Sequence, residues 1–247
     1  MSDVSDGSDV KADGAGGEPQ REMIRFATSG LTVHGHSEIS FLFSEPVPVP
    51  NLEQLLLGFF ESAVGSGVKF SAGQRIDLAG SLLRMFDRED GTLGVRDVGS
   101  DGDDIQPESV HRALMRTWCR QEVARSWDLT PAFPAPHQSA FICTRIDASR
   151  HALLLKHLEP TGPDDSGWYI GCTDPSHAHD TEEALGVVYL LQIGDRFPWL
   201  DQFFALPVGT DLIVEMNERV SVPALWRGEG EPIAPKPGSY VAALNKS

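Results

Sequence analysis

Prolines decide where this chain can run unbroken. Pro46, Pro48 and Pro50 crowd one short stretch, and Pro131, Pro134 and Pro136 another. A proline offers no backbone N–H, so neither a helix interior nor a central strand passes through such a stretch. Glycines subdivide what remains: 24 of them, with 17 prolines, are scattered over 247 residues without a period. Short strands and turns suit that pattern better than a bundle of long helices. The expected fold class is α+β, with two small mixed domains, each a mainly antiparallel sheet with one or two packed helices. The expected layout is a disordered acidic tail at 1–20, an N-terminal α+β domain at 21–130, a linker at 131–136, a second α+β domain at 137–226 and a flexible C-terminal tail at 227–247.

Within the first domain, Ile24 to Phe26, Leu31 to Val33 and Glu38 to Phe43 read as short strands. Asn51 is placed to cap a helix whose apolar face is Leu52, Leu55, Leu56, Phe59, Phe60 and Ala63. Val68 to Leu78 and Leu82 to Val95 read as strands, with Asp90-Gly91 suited to a tight turn. A second helix is expected from Pro107 to Trp127. Val110, Leu114 and Trp118 mark its buried side, and Arg112, Arg116 and Arg120 read as a solvated row. In the second domain, strands are expected at Ala140–Ile146, His151–Leu158, Gly167–Cys172 and Asp211–Glu215. Gly186–Ile193 reads as a strand running into a short helix, Phe197–Phe204 as partly helical, and Pro207-Val208-Gly209 as a turn.

The formal net charge is −16. Such a surface repels nucleic-acid phosphates, and it steers basic partners. No apolar window is long enough for a membrane span, and no apolar leader opens the sequence, so a cytoplasmic location is expected. The three cysteines, Cys119, Cys143 and Cys172, lack C-x-x-C spacing, which argues against a disulfide framework or a zinc knuckle.

Three constellations deserve a chemical reading. His34-Gly35-His36 followed by Glu38 forms an H-x-H-x-E row. On a strand, residues two apart share a face, so both imidazoles could reach one metal. Gly30 precedes the row, and the plainer reading is a polar sheet edge or turn, because no distant ligand is identifiable. Cys172, Asp174, His177, His179 and Asp180 form a second cluster, able in principle to bind zinc or to pair a thiolate with an imidazole. Its plainer reading is a polar loop after a strand. Asp97 to Glu108 echoes a calcium loop poorly, since Gly99 stands where an oxygen ligand belongs. There is no G-x-S-x-G elbow, P-loop or G-x-G-x-x-G fingerprint. No catalytic, metal or cofactor-binding residue is assigned, and no cofactor is expected. A small metal-dependent or Cys/His enzyme built on His34/His36 or on Cys172/His177/His179 is the alternative reading.

From Ile142 to Glu215 the chain carries, in order, Cys143-Thr-Arg-Ile146, Pro163-Asp164-Asp165-Ser166-Gly167-Trp168, Gly186-Val-Val-Tyr189, Phe197-Pro-Trp-Leu200 and Leu206-Pro207-Val208-Gly209. This series resembles the immunity protein 33 family of bacterial polymorphic toxin systems, which pairs a D-S-G-W turn with a downstream L-x-x-P-x-G turn. The resemblance implies a non-enzymatic protein that neutralises a cognate toxin by stoichiometric binding. The acidic charge suits a basic toxin. A regulatory scaffold that keeps the fold without a toxin is a further alternative. His177 and His179 depart from the acidic run usual after the Gly-Trp strand. In the first half, Gly30-Leu31 with His34-Gly35-His36-Ser37-Glu38 is similar to a domain of unknown function with a G-L…H-G-H-P-E signature, Ser37 replacing its proline. The structural or partner-binding candidates are Asp164, Asp165, Ser166, Gly167, Trp168, Trp199, Pro207 and Gly209. Of these, Trp168 suits a buried corner first, while Trp168 and Trp199 are the aromatic candidates for partner contact.

Overall fold

The computed structural model of the chain describes residues 23–44, 49–105, 108–146, 152–179, 181–215 and 223–244. The expected tail at 1–20, Pro107 and Asp180 lie outside the described residues. The architecture is α+β, built on two sheets. The first has five strands, β1 (Met23–Ala27), β2 (Ile39–Ser44), β3 (Arg75–Leu78), β4 (Ser81–Asp87) and β5 (Leu93–Asp97), in the order β1-β2-β5-β4-β3. All pairs are antiparallel except β2 with β5. The second has six, β6 (Ser139–Cys143), β7 (Leu153–His157), β8 (Asp165–Cys172), β9 (Leu185–Tyr189), β10 (Thr210–Val214) and β11 (Ala224–Trp226), in the order β11-β10-β7-β8-β6-β9. Here too a single pair is parallel, β6 with β8.

Helix α1 (Glu53–Gly65) covers the first sheet. Its buried face is Leu56, Leu57, Phe60 and Val64, with Leu52 just before it, while Leu55 turns to solvent. The expected stripe is thus rotated by part of a turn. The expected cap is also displaced: Asn51 takes a left-handed conformation (φ 60), the N-cap position falls to Leu52, and the helix begins at Glu53. Leu31–His34 is a 3-10 turn rather than a strand, held between Gly30 and Gly35, both at positive φ.

Helix α2 (His111–Arg125) runs across both sheets. Val110, Ala113 and Leu114 enter the first core, while Val123, Ala124 and Trp127 enter the second. The helix starts four residues after Pro107. The Ser109 hydroxyl accepts the His111 N–H at 3.0 Å, and the Asp97 carboxylate, arriving from β5, accepts that of Ala113 at 3.3 Å. Among the described residues three further short α-helices follow: α3 (Leu190–Arg196), α4 (Pro198–Asp201) and α5 (Tyr240–Ala243). Strand β9 runs directly into α3 at Tyr189–Leu190, within the stretch Gly186–Ile193 read as a strand passing into a short helix.

Two segments expected to be loose are tied down instead. Within the proline-rich stretch, Ala132 donates its N–H to Ala205 at 2.8 Å. After Arg227 the chain returns over the second core: Ile233 N–H pairs with Leu225, Trp127 Nε1 donates to Ile233, and Val241 is fully buried. Few apolar residues mark that return, so the composition alone suggests a tail.

Candidate functional site

The arginine row of α2 is the first correction. Arg112, Arg116 and Arg120 recur every four residues, and this face meets the α3–α4 segment instead of water. Arg112 and Arg116 reach Asp195 at 2.7 and 3.3 Å. Arg116 and Arg120 grip the two oxygens of Asp201 at 2.8 and 2.9 Å. Arg120 is 1% exposed and also donates to the carbonyls of Ala79 and Asp201. Burial pushes the Asp195 carboxyl up, but Arg112, the Ser100 N–H and Arg116 outweigh it and hold it below the ordinary range. Gly194 makes room for the ladder, because a Cβ there would lie 2.2 Å from Asp201 Oδ1.

The D-S-G-W corner is built on β8. Asp165 accepts the N–H groups of Thr161 and Gly167, both at 2.8 Å, which hold its carboxyl below the ordinary range. Gly167 has φ 77, and a Cβ would sit 2.1 Å from the Leu158 carbonyl, so the position admits glycine alone. The Ser166 hydroxyl donates to Ser139 and accepts the Trp168 N–H. Trp168 is 1% exposed, stacks on His157 at 4.4 Å and donates its indole N–H to Phe204. His157 joins the corner to the downstream turn. Its ring nitrogens face the carbonyls of Leu206 (2.6 Å) and Ser166 (2.9 Å), and its own carbonyl accepts the Gly209 N–H. The structure therefore joins the buried Ser166, Gly167 and Trp168, through His157, to the downstream turn, where Pro207 is half-buried and Gly209 exposed. Asp164 stands exposed beside it, and Trp199 is half-buried against the second core.

The H-x-H-x-E row does not assemble. His34 ends the 3-10 turn and is exposed, whereas His36 is buried. The Phe70 N–H donates to His36 Nε2 at 2.9 Å, so Nε2 accepts; Nδ1 then carries the proton and donates to the Ser37 carbonyl at 2.7 Å. Neither nitrogen is left for a metal. Glu38 accepts from the Thr28 hydroxyl and the Gly30 N–H, fastening the turn. The calcium echo also disperses: Asp104 pairs with Arg84 and Arg96, and Glu108 with Arg88.

The Cys172 cluster does assemble, with a member that sequence reasoning left out. Cys143, Cys172, His177 and His179 place their ligand atoms within 4.8 Å of one another. Cys143 ends β6 and Cys172 ends β8, and those strands are parallel neighbours, so their ends meet. Part of the signal was present: Cys172 ends the expected strand Gly167–Cys172, whereas Cys143 fell inside the expected strand Ala140–Ile146, which in the structure stops at Cys143. The Asp174 carbonyl accepts the His177 N–H at 3.1 Å, folding the histidine loop back over the sulfurs. Burial raises the Cys172 thiol, although the Asp174 backbone opposes this, and the neighbouring Cys143 raises it further. That is the wrong direction for a nucleophilic thiolate.

A strip of apolar side chains lies open on the same sheet. Phe141, Val187 and Tyr189 are 48%, 65% and 52% exposed. Phe141 pairs with Val187 across β6–β9 and with Tyr169 across β6–β8, so these side chains share one face. Strand β9 is an edge. Val187 and Tyr189 also line a cleft of about 1010 Å³ between the two halves of the chain, whose wall includes Asp77, Asp101 and Asp164.

Residues 119–223 match the family model described as an Imm33-like domain, in the C-terminal half of the chain. No curated protein and no solved structure matches the chain. Nothing in these comparisons supports the similarity suggested for the first half. No helix among the described residues is long and apolar enough to cross a membrane.

Proposed function

We propose that this chain, which carries an Imm33-like domain at residues 119–223, is a cytoplasmic immunity protein that binds a cognate protein toxin stoichiometrically and without catalysis. The observation that carries the reading is the family match, and the exposed strip on β6 and β9, within the matched segment, supports the reading as its docking face. Aromatic side chains left open on a sheet face, next to an unpaired strand edge, are the means by which a sheet recruits a partner. Around them stand carboxylates of the cleft, in a chain of net charge −16, which favours a basic partner and speeds its approach. Trp168, buried in the core, acts by shaping this sheet, and Phe141, Val187 and Tyr189 make the contact.

The test uses the whole chain, because a fragment starting at residue 131 would leave Asp195 and Asp201 without their arginines. The tagged protein is captured from its native lysate at low and moderate salt. A partner recovered at equal stoichiometry should be toxic when expressed alone, harmless when this chain is co-expressed, and lost from the Tyr189→Asp variant. Protection that persists in Tyr189→Asp and Val187→Lys would move the docking face elsewhere. A recovered partner that is harmless when expressed alone would remove the immunity reading.

A further inference from the structure

Nothing in the sequence comparisons assigns chemistry to the four-residue cluster at the ends of β6 and β8, and its geometry is specific. Zinc takes thiolate sulfur at ~2.3 Å and imidazole nitrogen at ~2.0–2.1 Å in a tetrahedron, which sets neighbouring sulfur and nitrogen ligands ~3.5 Å apart. Here Cys143 Sγ stands 3.4 Å from His177 Nδ1, Cys172 Sγ stands 3.3 Å from the same nitrogen, and Cys172 Sγ stands 3.5 Å from His179 Nε2. We propose that Cys143, Cys172, His177 and His179 bind one zinc ion in a closed, four-ligand structural site.

Three features support it. The donor set is two sulfurs and two nitrogens, the combination that selects zinc among common cations. The sulfurs already receive backbone N–H groups: Arg145 donates to Cys143 Sγ at 3.3 Å, and Asp174 donates to Cys172. Such donors stabilise a metal-bound thiolate. The framework holding the ligands is fixed on both sides, since Cys143 is paired to Leu185 on β9 and Cys172 to Leu153 on β7. On binding, each cysteine releases its proton to solvent, so one zinc ion displaces two protons and the charge of the cluster stays zero. With four protein ligands no position remains for water, which makes the site a clasp for the 173–179 loop. His179 meets Tyr169 edge-on at 6.2 Å, and Tyr169 lies beside Phe141, so the clasp borders the exposed strip.

The experiment is elemental analysis of the full chain, purified in reductant without chelator, followed by replacement with cobalt(II). The expected result is one zinc per chain and a cobalt form with intense visible bands and a thiolate-to-cobalt charge-transfer band. Cys143→Ser, Cys172→Ser and the paired change His177→Ala with His179→Ala should each lower retained zinc to about 0.1 equivalent or less. His34→Ala should keep the full equivalent. Protein without zinc that takes up no cobalt overturns the proposal. Retention of the metal in Cys172→Ser overturns it, as does a Cys143–Cys172 disulfide in protein whose thiols were blocked at lysis. Because the readout is metal content, its failure is distinct from failure of toxin binding.

Discussion

Histidines gather in two places in this molecule, at His34 and His36 in the first half and at His177 and His179 in the second. The two places differ in what faces the rings. Around His36 every polar atom meets a backbone partner: Nε2 takes the Phe70 N–H and Nδ1 gives to Ser37, while Glu38 ties down the neighbouring turn. Around His177 the ring nitrogen faces two sulfurs, which are weak hydrogen-bond partners and strong metal ligands. A cluster whose members satisfy one another through the backbone holds the fold. A cluster whose members converge on a common point without doing so is built around something else.

The comparison can be pressed hardest through the arginine ladder, which joins the halves. Asp201→Ala leaves Arg116 and Arg120 buried without their carboxylate and should cost about 3–5 kcal/mol in urea unfolding. Both halves should then unfold in one transition at a lower midpoint, and two separate transitions would show that the ladder does not couple them. Next, stripping metal with a chelator should remove stability from the wild type and none from Cys172→Ser. The loss reaches about 4 kcal/mol where free zinc had stood a thousandfold above its dissociation constant. Equal sensitivity of both proteins would erase the distinction between the two histidine sets.

Asp97 is an intermediate case, a buried acid with an incomplete set of partners. Burial pushes its carboxyl up to about 6, against the opposing pull of Arg112, the Ala113 N–H and Arg116. The folded state then keeps a proton that the unfolded chain releases near its ordinary value. Stability should fall as pH rises from about 4 to about 6 and stay lower above that, by on the order of 2–3 kcal/mol. Asp97→Asn should lack this slope, and an unchanged slope would assign it to another group. His36→Ala should cost about 1–3 kcal/mol, because it orphans the buried Phe70 N–H, and should leave zinc content unchanged. The smallest effect is expected for exposed His34→Ala, within about 0.5 kcal/mol by the same unfolding measurement.

Much of the fold was legible because local signals and tertiary packing agree. Asp90-Gly91 closes the β4–β5 hairpin, with Gly91 at φ 81, and the apolar run after Gly186 passes from strand to helix as its pattern suggests. The misreadings share a cause. The spacing of Arg112, Arg116 and Arg120 defines a helix face, but only the chain 79 to 83 residues further on supplies the acids that cover it. The H-x-H pattern implies a shared face only on a strand, and Gly30 and Gly35 bend that segment into a turn. Cys143 was missed as a partner of Cys172 because parallel pairing, unlike a hairpin, leaves no short-range spacing to read.

The family match begins at residue 119, in the middle of α2, with Arg116 on one side of that limit and Arg120 on the other. The matched segment therefore starts within a helix and not in the proline-rich stretch that follows it. A recombination event that joined the matched segment to a different leading half would carry Asp195 and Asp201 with it and leave Arg112 and Arg116 behind. Any lineage that exchanged its first half would have had to supply new cations opposite those two acids, or replace the acids themselves.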